Sequence, residues 1–293
     1  MRTKKGGCSR RRVTKTDWIL AIFLFIGMLL IIYPFYNALL ISFSSERAYL
    51  STPFMIIPKE ITFDSYITVF ADKNLWSGYK ITAILVVAGT ATQLFFTVIT
   101  GYALSRAKWP GKNLVMDFIL VTMFFSGGLI PYYYLINDLG LYDSILVMIV
   151  PGAIDTYNML LIRNYFQNLP VALEESAKID GANDIVILWK IFLPLAVPML
   201  ATIGLFFAIG NWNQWYNAML FIDRQSLKPL QLVLRELIVT NTASFGPSPI
   251  GRPAFSEGLK MASIFFTIVP VMCIYPFIQR FFVKGLVVGA IKG

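Results

Sequence analysis

Histidine is absent from the 293 residues, and cysteine occurs only twice. The lack of histidine excludes histidine-based zinc sites and the Ser-His or Cys-His pairs of many hydrolases. Cys8 lies in a basic tail and Cys273 in an apolar run, so a disulfide framework and a cysteine-rich metal site are both excluded as expectations. The sequence therefore predicts no metal site and no catalytic residues.

Charged side chains are the second scarcity. They make up 14% of the chain, against about 25% in soluble proteins. The apolar and aromatic residues AVILMFWYC make up 57%, against roughly 45–50% in soluble proteins even when glycine is included. A soluble fold of this size could not bury so much apolar surface, and backbone groups in a bilayer need internal hydrogen-bond partners. The composition indicates an all-α membrane protein.

Six stretches with few ionisable residues are long enough to cross a bilayer, which takes about 20 helical residues. They are residues 18–45, 81–105, 118–137, 144–163, 191–222 and 261–279. The first is too long for a cleaved signal peptide and has no small-residue cleavage site after it. We therefore predict a six-span domain over residues 18–281, between a basic tail at 1–17 and a short tail at 282–293.

The distribution of basic residues predicts the orientation. Sixteen of the 25 Lys and Arg residues fall in segments 1–15, 106–112, 163–190 and 280–293, and nine fall in 47–80, 138–143 and 223–260. Cytoplasmic loops carry the excess of positive charge, so both termini are expected in the cytoplasm. The run Arg10–Arg12 is then an anchor against anionic lipid. Nucleic acid is not an expected partner, because no nucleic-acid-binding fold accompanies the run.

Several predicted spans contain helix breakers. Span three ends in residues 125–131, Phe-Ser-Gly-Gly-Leu-Ile-Pro, and span four opens with Pro151-Gly152. Such breaks are tolerated in membranes only where protein or a water-filled cavity covers the freed backbone groups. This pattern favours helices that line a pathway. The loop at 223–257, rich in proline and glycine near its end, is expected on the outer side.

A cytoplasmic loop at 168–194 is predicted to form a short helix. Pro170 suits its first turn and Gly181 suits its end, while Glu174 and Glu175 give it an acidic side. A compact helix held between two spans is a suitable lever for a soluble partner.

Residues Glu175-Ser-Ala, Gly181, Ile191 and Leu193-Pro194 have the spacing EAA-x3-G-x9-I-x-L-P. This spacing resembles the EAA loop of ABC-importer permeases, with Ser176 in place of the first alanine as the one departure. Residues 125–131, 138–142 and 212–215 resemble the MalG-like carbohydrate permeases, especially their LplC/YtcP-type subgroup.

The resemblance implies a type I ABC-importer permease architecture in the cell membrane. The EAA helix would seat on an ATPase dimer, and the implied ATPase-coupling residues are Glu174, Glu175, Ser176, Ala177, Asp180, Gly181, Ile191 and Pro194. Further implied partners are a second, different permease subunit and an extracellular or periplasmic solute-binding protein. The outer loop 223–257 would face that binding protein, and the implied solute is an oligosaccharide.

The chain has no G-x-x-x-x-G-K-[ST] phosphate loop. ATP and Mg²⁺ are therefore expected on the partner ATPase subunits, and this chain is not expected to be an enzyme or to hold a cofactor.

Two polar clusters are candidates for the substrate path. The first is Asp155 with Thr156 and Asn158, since an ionisable residue at the bilayer centre costs at least about 2.5 kcal/mol and should face the bundle interior or water. The second comprises Asn211, Asn213, Trp215 and Asn217, because indole rings stack on sugars and amides pair with hydroxyls. For each cluster the alternative is structural: an interhelical polar contact for the first, and an aromatic belt with packing amides for the second.

Alternative functions remain open at this stage. The same ABC machinery could import a peptide or a polyol. An ion-coupled secondary transporter would need more intramembrane ionisable residues than Asp155 and internal inverted repeats, neither of which is present. A membrane scaffold without transport is disfavoured by the EAA loop.

Overall fold

The computed structural model describes residues 14–51, 57, 60–106, 110–239 and 255–290, with side chains up to residue 273 in the last range. Within these residues the chain is helical, and its β-structure is limited to one isolated bridge between Ser44 and Ile61. The α-helices are α1 Lys15–Ser42, α2 Glu46–Ser51, α3 Asp64–Ala71, α4 Lys73–Ile84, α5 Thr90–Arg106, α6 Lys112–Phe124, α7 Leu129–Asp138, α8 Thr156–Gln167, α9 Val171–Ile179, α10 Asp184–Ile187, α11 Leu193–Trp212, α12 Tyr216–Phe221, α13 Leu230–Val239 and α14 Ser256–Ala290.

The chain divides into two compact units, Met1–Val69 with Pro247–Phe265, and Phe70–Gly246 with Phe266–Gly293. In the first unit, the Ser42 and Tyr66 hydroxyls lie 2.9 Å apart, and the Thr62 amide donates to the Phe43 carbonyl at 2.8 Å. These bonds fold the segment after α1 back on itself. The second unit contains the candidate functional sites.

Four helical stretches in the described residues are long and apolar enough to cross a membrane: Lys15–Ser42, Lys73–Arg106, Asp184–Trp212 and Ser256–Cys273. A fifth crossing is possible through α6 and α7, which are bent by 117° at a short break. The break falls on the predicted glycine pair, residues 127–128. The membrane class and the helical fold are thus confirmed, whereas the count of six spans is not.

The predicted fourth span at 144–163 is not one continuous helix in the structure. A 3₁₀ turn at Ile145–Met148 is followed by non-helical residues, and α8 begins only at Thr156. Pro151 and Gly152 lie in that interruption. Proline removes a backbone donor and glycine weakens a helix, which accounts for the interruption before α8, a helix of 12 residues.

Two π-helical turns interrupt the long helices of the second unit. Leu85–Gly89 lies between α4 and α5, and Leu188–Phe192 lies between α10 and α11. Such turns shift the register of the side chains and often occur at functional sites. The first precedes the buried polar contacts of α5, and the second contains Ile191 of the EAA spacing.

Parts of the sequence predictions lie outside the described residues. These are the tail 1–13, the last three residues and the turn-rich segment 240–254 of the outer loop. The described part of that loop is more regular than expected, since it contains a 3₁₀ turn at Gln225–Leu227 and the helix α13.

Candidate coupling helix and transport path

Helix α9 has the boundaries that its sequence predicts. Pro170 directly precedes the first helical residue, and Asp180 follows the last. Gly181 has a φ of +82°, a left-handed conformation that glycine adopts without the steric cost of a Cβ. The Ala182 amide donates to the Ala177 carbonyl at 2.9 Å and closes the helix end. The chain can therefore turn at once into α10.

One side of α9 faces the protein. Ala177 is 8% exposed and belongs to a buried apolar cluster with Tyr102, Phe166 and Phe192. Tyr102 meets the rings of Phe166 and Phe192 edge to face, with centroids 6.1 and 5.3 Å away. The cluster joins α5, α8, α9 and the start of α11.

Arg106, the last residue of α5, holds this junction together. Its Nη2 donates to the Phe166 carbonyl at 2.7 Å and to the Leu169 carbonyl at 2.6 Å. These carbonyls lie at and just beyond the end of α8, where backbone acceptors lack helical partners. The Arg106 Cζ lies 5.1 Å from the Phe192 ring centroid, a cation–π contact.

Glu174 completes the junction from the side of α9. Its carboxylate lies 3.8 Å from the Arg106 Nε and 2.7 Å from the Lys178 Nζ. Lys178 also lies 3.4 Å from an Asp184 oxygen, which links α9 to α10. The hydrogen bond to Glu174 raises the pKa of Lys178 above its usual 10.5. Arg106, Glu174, Lys178 and Asp184 thus form a chain of ion pairs that crosses from α5 to α10.

The opposite side of α9 is presented to the surface. Glu175, Ser176 and Asp180 are exposed, and the apolar side chain of Ile179 is 86% exposed. The exposed side of α9 therefore presents a carboxylate together with an apolar side chain. Glu175 is the acidic residue of the EAA spacing.

The eight residues assigned to coupling therefore divide into groups. Glu175, Ser176, Asp180 and Gly181 are exposed, and Pro194 is exposed near the start of α11. Ile191 is partly buried against the apolar cluster. Glu174 and Ala177 face inward, toward α5 and α8. The resemblance gives the spacing of the helix and not the direction of its side chains, and a role of these two residues in docking stays a prediction.

The sequence did not single out Arg106, which was counted only as a basic residue at the end of a span. Two features of the sequence could have indicated its role. Arg106 lies at the end of an apolar run, and the next cytoplasmic loop contains an acidic pair that could bind it.

Asp155 is the N-cap of α8 and does not lie within a spanning helix. One of its carboxylate oxygens accepts from the backbone amide and from the side-chain amide of Asn158, both at 2.8 Å. Asp155 and Thr156 are partly buried, and Asn158 is buried. Asparagine and aspartate commonly satisfy the free donors of a first turn in this way. This arrangement favours the structural interpretation of the first cluster.

Asn211 is also bound within the protein. Its amide nitrogen donates to the Gln93 side-chain oxygen at 2.8 Å and lies 3.2 Å from the Thr90 hydroxyl. Gln93 in turn donates to the Gly152 carbonyl at 3.0 Å. The Asn211 amide fits because Gly89 has no side chain, since a Cβ there would lie 2.9 Å from it. The buried Asn211 is therefore an interhelical contact, which favours the structural interpretation for this residue.

The remaining candidates lie at the break between α11 and α12. Asn213 is exposed and donates to the Ile209 carbonyl at 3.0 Å. Asn217 is partly buried, with its amide nitrogen 3.5 Å from the Val147 carbonyl. The Trp215 ring is partly buried, and the Arg235 Cζ lies 3.8 Å from its centroid. This cluster can offer an aromatic ring, amides and a cation to a polar solute.

A second polar junction lies where α12 ends. The Asp143 carboxylate accepts from the backbone amides of Asp223 and Arg224, each at 3.1 Å, and from the Arg224 Nε at 2.6 Å. The Arg224 backbone amide is the main reason that the pKa of Asp143 lies below its usual 3.8. Tyr142 donates to Asp223 at 2.8 Å. The start of the outer loop is thereby fixed to the turn after α7.

Similar proteins identify the family of this chain, although no family model matches it. The sequence is 39% identical to protein LplC of Bacillus subtilis (strain 168) over 264 residues, which cover 89% of this chain and 90% of LplC. It is 36% identical to the polygalacturonan/rhamnogalacturonan transport system permease protein YtcP of the same organism over 280 residues, covering 94% of this chain and 98% of YtcP. A solved bacterial ABC transporter involved in the import of the acidic polysaccharide alginate has a chain of 35% identity and TM-score 0.85, with 92% of this chain and 98% of that chain covered.

A helical membrane fold with an anchored, acidic EAA helix defines the permease subunit of an ABC importer. More specifically, the chain belongs to the MalG-like carbohydrate permeases, in the subgroup of LplC and YtcP. It is a multi-pass membrane protein and the subunit without the ATP-hydrolysing site, and it works with ATPase subunits and a solute-binding protein. Family membership removes the secondary transporter and the scaffold as alternatives.

Proposed function

We propose that this chain imports an oligosaccharide as one of two different permease subunits, with ATP and Mg²⁺ bound on a separate ATPase dimer. Both termini lie in the cytoplasm, and α9 is the coupling helix. The proposal is supported by relatives named for polygalacturonan, rhamnogalacturonan and alginate, and by the polar and aromatic cluster between α11 and α12.

The observation that carries the coupling role is the two-sided character of α9. Its inner side is fixed by Ala177 and Glu174 to α5 and α8, while its outer side presents Glu175 and Ile179. Closure of an ATPase dimer against that surface would push a helix that cannot move without its neighbours. Packed helices with two discrete arrangements can propagate such a movement across the membrane.

Reconstitution tests the proposal. The chain is co-expressed with its neighbouring permease and ATPase subunits and placed in liposomes, and ATP hydrolysis is measured with binding protein carrying each of a panel of oligosaccharides. Stimulation by a loaded binding protein, with uptake of the labelled sugar, is expected. Stimulation by a peptide or a polyol, and by no glycan, would favour the alternative solute on the same machinery.

A further inference from the structure

The guanidinium of Arg235 lies over the ring of Trp215. Its Cζ is 3.8 Å from the centroid of the Trp215 ring, well inside the ~6 Å range of cation–π contacts. A cation–π contact uses the charge of the guanidinium and does not require hydrogen bonds from its five N–H donors. Arg235 is exposed, so those donors are open to solvent.

No described residue uses those donors. Arg235 has no ion pair or hydrogen bond with any other part of the chain that the structure describes. The adjacent carboxylate of Glu236 is engaged elsewhere, since it lies 2.7 Å from the Lys228 Nζ. Arg224, another exposed arginine of this region, differs from Arg235 because it donates hydrogen bonds to Asp143. Arg235 therefore contacts Trp215, and no carboxylate among the described residues pairs with its charge.

The surroundings of Arg235 suit a sugar. Tyr216 meets the Trp215 ring edge to face with centroids 5.6 Å apart, and it is exposed. Asn213, also exposed, donates one amide hydrogen to Ile209 and keeps its amide oxygen for another partner. An aromatic face and an amide group can hold a sugar ring, but neither requires a cation. A preorganised guanidinium adds the geometry that binds a carboxylate with two parallel hydrogen bonds.

We propose that Arg235, stacked on Trp215, binds the carboxylate of a uronic acid residue, and that the transported glycan is an acidic oligosaccharide. This inference rests on the proposed function and narrows its substrate class. Arg235 selects the charge of the sugar, while the neighbouring aromatic and amide groups bind its ring.

Paired substrates test the proposal in the assembled importer. The importer, with its ATPase, second permease subunit and binding protein, is reconstituted in liposomes, and uptake is measured for the trimers of galacturonate and mannuronate and for their methyl esters. Each variant is compared with the wild-type importer in the presence of the same binding protein, so that the substrate preference of that protein is equal on both sides of the comparison. Arg235→Gln is expected to reduce uptake of an acidic trimer about tenfold at low concentration, which corresponds to ~1.4 kcal/mol, and to leave uptake of the ester unchanged.

Three further variants sharpen the test. Arg235→Lys keeps the charge without the planar fork and should give an intermediate loss. Trp215→Leu removes the ring under Arg235 and should reduce acidic uptake more than ester uptake. Arg47→Gln removes an exposed arginine in α2 and should change neither.

The outcomes separate the two claims. Equal losses of acid and ester uptake in Arg235→Gln, or wild-type uptake of the acid, would overturn the role of Arg235. A wild-type importer that takes up the esters better than the acids would overturn the acidic substrate while leaving the proposed function in place. A wild-type importer that hydrolyses ATP but imports no glycan would contradict the proposed function as well.

Discussion

The Nε of Arg106 lies 3.8 Å from the carboxylate of Glu174, and the two side chains are only 10% and 14% exposed. Arg106 ends a membrane-spanning helix, and Glu174 lies on the short helix that carries the EAA spacing. The pair therefore joins the proposed coupling helix to an element that crosses the membrane.

Loss of the Arg106 charge is expected to uncouple the importer. Arg106→Gln leaves the nearly buried Glu174 with only Lys178 and removes the donor from two carbonyls, and breaking a buried pair is costly. We expect sugar uptake per ATP hydrolysed to fall about tenfold, since hydrogen bonds to charged groups contribute roughly 1.5–3 kcal/mol each. Uptake and ATP hydrolysis are measured on the same proteoliposomes.

Two variants control this prediction. Lys190→Gln removes an exposed cation from the segment after α10 and should leave the ratio unchanged. Arg106→Lys retains the charge but loses the planar guanidinium, so its ratio of uptake to ATP hydrolysis should lie between those of the wild type and Arg106→Gln. An unchanged ratio in Arg106→Gln would show that the junction has no part in coupling.

Substitution of Gly89 is expected to destabilise the second unit. Gly89→Ala places a Cβ 2.9 Å from the Asn211 amide, and overpacking of this kind costs typically ~1–3 kcal/mol. The apparent Tm in detergent should fall, and Asn211→Ala in the same chain should restore part of it. Gly27→Ala is the matched control, because nothing lies within 4 Å of its Cβ, and an equal fall there would contradict the explanation.

Asp155 is expected to act as a helix cap and not as a substrate ligand. Asp155→Ala removes the acceptor for Asn158 and should cost about 0.5–2 kcal/mol of stability. Asp155→Asn keeps an acceptor oxygen and should retain both Tm and sugar uptake at equal expression. Normal stability of Asp155→Asn together with lost uptake would instead place Asp155 in the substrate path.

The junction of Asp143 with Arg224 should persist through mild acid. The pKa of Asp143 is held below 3.8 by the Arg224 backbone amide. A depressed carboxyl pKa stabilises the fold above the unfolded-state value and loses that effect as pH falls through the folded-state value. Hydrogen exchange of residues 221–228, corrected for its intrinsic pH dependence, should therefore be equally slow at pH 7 and pH 5. Fast exchange at pH 7 is expected in Asp143→Ala, and slow exchange in that variant would rule out the carboxylate as the fixing group.

Much of the fold was predictable because its determinants are local. The absence of charge marks the apolar helices, and the spacing of Pro170 and Gly181 marks α9. The helix boundaries within segment 144–163 were harder to predict, because they depend on whether Asp155 caps a new helix or lies inside a continuous one. The sequence shows the capping residue and the proline, but it does not show whether their effects outweigh the tendency of an apolar segment to stay helical in a bilayer.

The site was predictable only as a set of positions. The EAA spacing located α9, but it does not give the direction of the side chains on that helix. Glu174 points toward Arg106, which lies more than 60 residues earlier in the chain. Ala177 packs with Phe166, which lies about 10 residues earlier. Asn211 likewise belonged to a polar cluster in the sequence, whereas Gly89, on another helix, gives it a buried place. Arg235 stands apart from the polar cluster in sequence, and only the fold brings it to Trp215.

Photo-crosslinking from the outer surface of α9 tests the central claim most directly. A benzophenone amino acid is placed at position 179, which is 86% exposed, and at position 118 in α6 as a control of 72% exposure. In the assembled, ATP-hydrolysing importer, irradiation should join position 179 to the ATPase subunit and leave position 118 without that product. Absence of the product from position 179, in an importer that still couples hydrolysis to uptake, would contradict the assignment of α9 as the coupling helix.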